Sequence, residues 1–322
     1  MSNKLGIENI SQCVTRSENL RSTCIPPQHI IVILPAYNEE VAIGSIVLLS
    51  KLYADKVIVI DDGSTDRTAD IARNAGADVI VHEENTGKGG ALKTGFAAAV
   101  NMGADIIVTM DSDAQHNPAE IPNLVSPIIK GEAEMVNGSR YLNGKDKNTP
   151  AYRRVGQTIL DRASNINSGL KITDSQSGFR AFASSINDVF RFKANGMAIE
   201  SEMLADAGRA GLRLKEVEIG VRYDVKGSAK KPIEHGLEVL IGILKDMEFN
   251  KPLSYFTVPG LCFVMVGLYM GTSFLQIFSI GGSLNFGPTV LMVLLIIVGS
   301  FLAITGILLH SLAAILRNAK GG

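Results

Sequence analysis

Three stretches of the 322-residue chain bring carboxylates together directly after apolar runs: Pro35-Ala36-Tyr37-Asn38-Glu39-Glu40, Asp61-Asp62-Gly63-Ser64-Thr65-Asp66 and Asp111-Ser112-Asp113-Ala114-Gln115-His116. Meeting at one edge of a sheet, they would repel unless a cation or hydrogen-bond donors filled the gap. A divalent ion with a donor-bearing ligand is the natural occupant. Asp-x-Asp by itself arises about once by chance in a chain this long. Here position gives it weight. Asp111, Asp113 and Gln115 follow a fully apolar strand and are expected to alternate onto one side as hard oxygen ligands for Mg²⁺ or Mn²⁺ bridging phosphates. The plainer alternative is that the carboxylates cap the helix opened by Asn117-Pro118.

Asn85-Thr86-Gly87-Lys88-Gly89-Gly90 stands between a strand and a helix, and small residues at a helix N-terminus let a ligand or its phosphates approach the backbone, which makes Lys88 and Gly89 candidates for that contact. It is not the dinucleotide fingerprint, because Leu92 occupies the place of the required glycine or alanine and the run does not follow the first strand. A nicotinamide dehydrogenase is therefore disfavoured, and a phosphate loop with Gly-Lys-Ser/Thr is also missing.

The elements that must position these residues follow from periodicity. Apolar runs at residues 30–34, 57–60, 79–81, 106–110 and 135–137 read as buried strands, with helical stretches between them at 39–51 and 65–75. Such alternation implies an α/β fold with a mainly parallel sheet, whose ligand lies beyond the carboxyl ends of the strands. Further on, the pattern predicts helices over 152–168 and 200–210, a short apolar piece at 178–182 and a strand at 214–221. From Pro232 an apolar stripe (Ile233, Leu237, Leu240, Ile241, Leu244, Met247) fits a helix in the membrane interface, and equally one packed on the domain.

Charge is segregated along the chain. Residues 252–322 contain no Asp or Glu and only Arg317 and Lys320 among basic residues. Two uncharged stretches, residues 253–280 and 288–316 with His310 as the sole titratable interruption, each exceed the roughly 20 residues needed to cross a bilayer. Lys245, Lys251, Arg317 and Lys320 flank the outer ends of this hairpin, so the charged module and both termini are expected in the cytoplasm of a multi-pass protein. The first 28 residues are polar, lack the apolar stretch of a secretory signal and read as disordered. Nothing suggests a nucleic-acid surface, and Cys13, Cys24 and Cys262 are too scattered for a disulfide framework or zinc site.

From about Ile30 to Val225 the chain resembles glycosyltransferase family 2, and within it the dolichyl-phosphate sugar synthases, closest in appearance to archaeal members. The resemblance rests on the three acidic motifs, Gly87-Lys88-Gly89, Gly138-Ser139-Arg140-Tyr141, Ser177-Gly178-Phe179-Arg180 and Val221-Arg222-Tyr223-Asp224-Val225. It implies a Rossmann-like GT-A domain over residues 29–225, an amphipathic region over 226–251 and a terminal membrane hairpin. It further implies a nucleotide-sugar donor, with Pro35, Tyr37, Glu39, Ile60 and Asp62 around the nucleoside and a divalent metal at Asp111, Asp113 and Gln115, Ser112 lying between the two carboxylates. Arg140, Arg153 and Arg222 match arginines near donor or acceptor phosphates. The implied acceptor is dolichyl or another polyprenyl phosphate, and the implied outcome is inversion, with Asp113, Arg140 and Arg222 the residues expected to carry the transfer. Glu200 and Glu202 fit either a place near the site or a capping role. One departure is Gly227-Ser228-Ala229-Lys230-Lys231, where relatives carry a Gly-x-Ser-Lys run. A processive polysaccharide synthase is a competing reading, disfavoured because its Gln-x-x-Arg-Trp motif needs a tryptophan and the chain has none. A non-catalytic nucleotide-sugar-binding protein is disfavoured by the intact acidic constellation.

Overall fold

The computed structural model describes residues 28–142, 151–220, 239–243, 246, 252–281, 283 and 286–320. Seven strands form one sheet: β1 (Ile30–Ala36), β2 (Lys56–Asp61), β3 (Asp78–Val81), β4 (Ile106–Thr109), β5 (Met135–Ser139), β6 (Arg180–Ala183) and β7 (Leu214–Glu218). Their order is β3-β2-β1-β4-β6-β5-β7. Strands β1 to β4 are parallel neighbours, β7 runs parallel to β5, and β6 alone is antiparallel to both its partners.

Alternation along the central strands divides the core. Val32 and Leu34 of β1, with Val57 and Val59 of β2, pack under α1 (Ile43–Ser50), α2 (Thr68–Asn74) and α4 (Ile121–Ile129). Ile31, Ile33, Ile58 and Ile60 face the opposite layer, α3 (Lys88–Asn101) and α6 (Ile199–Arg209), where Phe96, Phe182 and Phe190 meet edge to face. Both faces of β1, β2 and β4 are thus covered, which is why they read as continuous apolar runs. Strand β3 departs from that reading. It lies at the sheet edge with partly exposed residues, so its short run of branched side chains reflects strand propensity more than burial.

Helix α5 (Ala151–Ser168) packs on α6, and residues 239–243 pack on α5. Val239 and Ile243 are fully covered, with Leu160, Ala163, Met197 and Tyr255 around them. A Cβ on Gly242 would fall 2.4 Å from the Ala198 Cβ, too near for any other residue without displacement. Of the stripe, Leu240 packs against this cluster while Ile241 is exposed; Ile233, Leu237, Leu244 and Met247 lie outside the described residues. Asp246 completes the join by accepting hydrogen bonds from Arg191, Arg209 and Asn167 at 2.8–2.9 Å.

Two terminal helices, α7 (Val258–Ser279) and α8 (Phe286–Lys320), form a hairpin whose apolar stretches are long enough to cross a membrane. A π-type turn at Leu253–Thr257 precedes α7. Its cause is local, since Pro259 has no N–H and its ring crowds the carbonyl four residues back, at Tyr255. The helices touch through glycine: a Cβ on Gly260 would lie 2.6 Å from the Gly299 carbonyl oxygen, and the reverse holds for Gly299. Backbones this close gain dispersion contact that larger residues would prevent. The Tyr255 hydroxyl donates to the Ile166 carbonyl of α5 at 3.0 Å, so the hairpin is fastened to the domain rather than tethered beside it.

Candidate active site

A cavity of about 490 Å³ opens at the carboxyl ends of β1, β2 and β4. Pro35, Tyr37, Glu39, Asp62, Lys88, Asp111, Ser112 and Asp113 line it, joined by Asn85, Gly87 and Met197. Strand β1 is central, yet it ends in Pro35-Ala36. The proline is tolerated because pairing with β4 has already stopped at Ile33 and Thr109. The freed Pro35 carbonyl accepts a hydrogen bond from the Ser112 hydroxyl at 2.8 Å, which ties the β1 and β4 edges together beneath the cavity.

The carboxylates divide into two groups. Asp61 accepts the Ser64 N–H, and Asp66 accepts the N–H groups of Glu40 and Thr68, so both are consumed in shaping the loop after β2. Asn38, in the left-handed region at φ 56°, is stitched to the same loop through Ser64 and Thr65. Glu39, Asp62, Asp111 and Asp113 remain to face the cavity. Burial, with Asp113, Asp111 and Asp66 nearby, pushes the Glu39 carboxyl up to about 7. Burial and Asp111 likewise raise Asp113 above the usual carboxylate range. Burial would also raise Asp62, but hydrogen bonds from the His82 ring and from Thr86 and Gly87 outweigh it and hold the group low. Asp62 thus organises the 82–87 loop, a role the sequence pattern does not reveal. His82, directly after β3, belongs to the same sheet edge and was open to the edge rule.

Lys88, the first residue of α3, stretches across the cavity floor. Its ammonium lies 2.5 Å from Asp111 Oδ1 and 2.5 Å from Glu200 Oε1. Burial would lower its pKa; Asp111 and Glu200 more than reverse that, so it is held charged. Burial opposes ionisation of Asp111 in the same way, and Lys88 with His116 hold it well below the usual range. The two glutamates flagged on the helix at 200 separate cleanly. Glu200 joins this site, while Glu202 accepts the backbone N–H groups of Lys193 and Ala194.

Four expectations change. Gln115 does not line the cavity, because Ala114 at φ 62° breaks the extended backbone and Asp113 turns to accept the Gln115 N–H. Ile60 is fully buried in the core beside Gly95 of α3 and reaches no cavity wall. Gly89 is small for a different reason: its N–H donates to the Asn195 carbonyl, and a Cβ there would collide with Ala194. Gly89 admits a neighbouring loop, while Gly87 lines the cavity. Arg140 stands outside the cavity lining and forks onto buried Asp174, Nε to Oδ2 at 2.6 Å and Nη2 to Oδ1 at 2.7 Å. Arg222 and the Arg153 side chain lie outside the described residues.

Two expected results follow directly. Arg140→Lys offers one point charge where Asp174 needs two parallel donors, and should cost about 1–2 kcal/mol, seen as a Tm lower by a few degrees. An unchanged Tm would show that Asp174 is satisfied without the fork. For Glu39, the folded pKa near 7 lies above the ordinary value of 4.5, so the folded state retains a proton that the unfolded chain has lost. Stability therefore falls as pH rises from about 4.5 to 7 and levels off above. Removing that penalty in Glu39→Gln should raise stability at pH 8 relative to pH 5 by about 1–2 kcal/mol after solvent screening. Thermal melts in chelator across this range measure it, and a Tm difference independent of pH would contradict it.

A mostly parallel sheet covered by helices on both faces, with an acidic, lysine-bearing cavity at its carboxyl edge, is the architecture of a doubly wound α/β ligand site. Residues 31–190 match the profile described as Glycosyl transferase family 2. The chain is 37% identical over 234 residues to a UDP-N-acetylglucosamine–dolichyl-phosphate N-acetylglucosaminyltransferase of Methanococcus voltae, covering 66% of this chain and 91% of that one. It is 30% identical to an undecaprenyl-phosphate mannosyltransferase of Micrococcus luteus, covering 59% and 82%. Glucosyl-3-phosphoglycerate synthase of Mycobacterium tuberculosis, crystallised with Mn²⁺ and UDP-glucose, superposes with TM-score 0.53 at 27% identity, covering 68% of this chain and 79% of that chain. The protein belongs to glycosyltransferase family 2 and is a glycosyltransferase.

Proposed function

We propose that the protein transfers a hexose, with inversion, from a nucleotide sugar to dolichyl or another polyprenyl phosphate at the cytoplasmic face of a membrane spanned by α7 and α8. UDP-glucose, UDP-N-acetylglucosamine and GDP-mannose are the candidate donors. The observation that carries this reading is the cavity itself, where Glu39, Asp111 and Asp113 face Lys88 at the sheet edge. The relatives' names and the Mn²⁺ and UDP-glucose in the superposed crystal structure support it.

The residues present fit a divalent cation. Asp111 and Asp113 are hard oxygen donors, and the Glu39 and Asp113 carboxyls, raised first by burial and then by the neighbouring carboxylates, would be eased by a cation beside them. Among the described residues no three His, Cys, Asp or Glu side chains form a complete metal cage. That suits Mg²⁺ or Mn²⁺, which share their coordination with substrate phosphates and water. When bound, the cation neutralises charge developing on the departing diphosphate. Asp111 and Asp113 would hold it, while Lys88 meets the diphosphate and Tyr37, Glu39 and Asp62 bound the nucleoside side of the cavity. A phosphate monoester has a second pKa near 6, so the attacking oxygen is already ionised at neutral pH and no general base is required. Positioning and charge stabilisation do the rest.

Full-length protein in detergent, incubated with dolichyl phosphate and each labelled nucleotide sugar, should place label in the extracted lipid for one donor. Label appearing in no lipid product with any of them would overturn the proposal.

A further inference from the structure

We propose that Lys88 is a built-in counter-ion occupying the cation's place on Asp111, and that Glu200 is the station to which its ammonium withdraws when a divalent cation and the donor diphosphate enter. This rests on the metal reading above and goes beyond it, because it assigns an ordered exchange to Lys88 and Glu200.

The geometry around Asp111 sets a competitor for a cation on one of its oxygens. Oδ1 receives the Lys88 ammonium at 2.5 Å, and Oδ2 lies 3.8 Å from His116 Nε2. The third side is closed by backbone, for an ideal Cβ on Gly178 would fall 2.6 Å from both carboxylate oxygens. The remaining face of Asp111 is open to the cavity, its side chain 32% exposed. A divalent ion that approaches Oδ1 from there competes with the Lys88 ammonium for that oxygen.

Glu200 makes that release possible. Its carboxylate is buried, its 2.5 Å contact with Lys88 is an ion pair, and neither of its oxygens has a directed hydrogen bond among the described residues. A buried carboxylate so placed is costly unless a cation stays beside it. Arg180 fixes it there by donating Nη1 to the Glu200 backbone carbonyl at 2.9 Å. With the cation on Asp111, the ammonium remains paired to Glu200 and turns its other N–H groups toward the cavity, where the donor's phosphates supply acceptors. Lys88 has three donors on a flexible stem, which suits it to changing partners without leaving the site. Cation and nucleotide should then assist each other's binding, since the nucleotide gives the displaced ammonium a new partner and the coupling is reciprocal.

Mn²⁺ binding to full-length protein in detergent micelles, followed by electron paramagnetic resonance with and without UDP, tests this through variants of opposite sign. Lys88→Met removes the competitor and should bind Mn²⁺ alone at least fivefold more tightly than wild type, with a smaller further gain from UDP. Glu200→Gln leaves Lys88 committed to Asp111 and should bind Mn²⁺ alone at least threefold more weakly. A purely structural ion pair predicts that loss of either partner weakens binding or leaves it unchanged, so Lys88→Met without tightening overturns the proposal. If Lys88→Met does not fold, Lys88→Gln takes its place with the same expected tightening, and unchanged or tighter binding in Glu200→Gln also refutes the exchange. Wild type that binds no Mn²⁺ even with UDP or GDP overturns the metal reading and the proposal together, whereas Mn²⁺ bound by wild type without the variant shifts removes only the proposal.

Discussion

Asp113→Asn is expected to lower sugar transfer by about a thousandfold, roughly 4 kcal/mol of transition-state stabilisation. The substitution isolates charge from architecture. In the folded chain the recorded hydrogen bond of Asp113 is to the Gln115 N–H, and the amide oxygen of asparagine can still accept it. What disappears is one of the two negative oxygens that Asp111 and Asp113 present to the cavity, and with it the capacity to hold a divalent cation against the leaving diphosphate. Asp111 would be a poorer test, because its loss also strands Lys88 beside Glu200 and confounds chemistry with folding. Rates with labelled donor across a Mn²⁺ titration should show weaker Mn²⁺ activation in Asp113→Asn, while its Tm stays within a degree or two of wild type. Activity within tenfold of wild type at saturating Mn²⁺ would dismiss the assignment of Asp113.

Much of this arrangement was legible before any coordinates, and the parts that were not share a cause. The runs that became β1, β2 and β4 are apolar on both faces because helices cover both faces, so burial wrote itself into a continuous pattern. The acidic residues after them could be assigned to one edge from topology alone. Partnerships were hidden wherever two residues distant in sequence decide the role. Lys88 and Glu200 are more than a hundred positions apart, and nothing local to either says that they meet. Arg140 has the residue type for phosphate, yet its fork is filled by Asp174 from the turn before β6. Gly89 reads as room for a ligand and is room for the backbone of residues 194 and 195. The stripe after Pro232 fits membrane or domain equally well, and the decision for residues 239–243 lies in Gly242 against Ala198, a contact that periodicity cannot encode. Fastening by Tyr255 and Asp246 also means that the terminal hairpin is not simply detachable, as the uncharged tail by itself suggests.

Replacing Arg180 should destabilise the protein more than any change at the cavity wall. Its guanidinium is almost fully buried, and it joins three segments: Nε donates to Asn137 Oδ1 of β5 at 2.9 Å, Nη1 to the Glu200 carbonyl at 2.9 Å and Nη2 to the Ser175 carbonyl at 2.8 Å. Burial pulls its pKa down, and Glu200, Asp174, Asp111 and Glu216 resist that pull by favouring the charged form. Methionine matches the volume in part but withdraws three donors from buried acceptors and one of the cations near Glu200, Asp174, Asp111 and Glu216. Removing one partner from such a network costs about 3–5 kcal/mol, more than the net worth of the bonds, because the groups left behind stay desolvated. At about 2–4 °C per kcal/mol for a domain of this size, Arg180→Met should melt roughly 10 °C below wild type. Arg180→Lys should fall between the two, since an ammonium keeps the charge and cannot reach all three acceptors. Loss should also reach the site, because the Glu200 backbone is held by Nη1: nucleotide affinity in any folded Arg180→Lys protein should drop together with Tm. A melting temperature for Arg180→Met within two degrees of wild type would mean that water or rearranged side chains satisfy the three acceptors, and that Arg180 does not hold Glu200 in place.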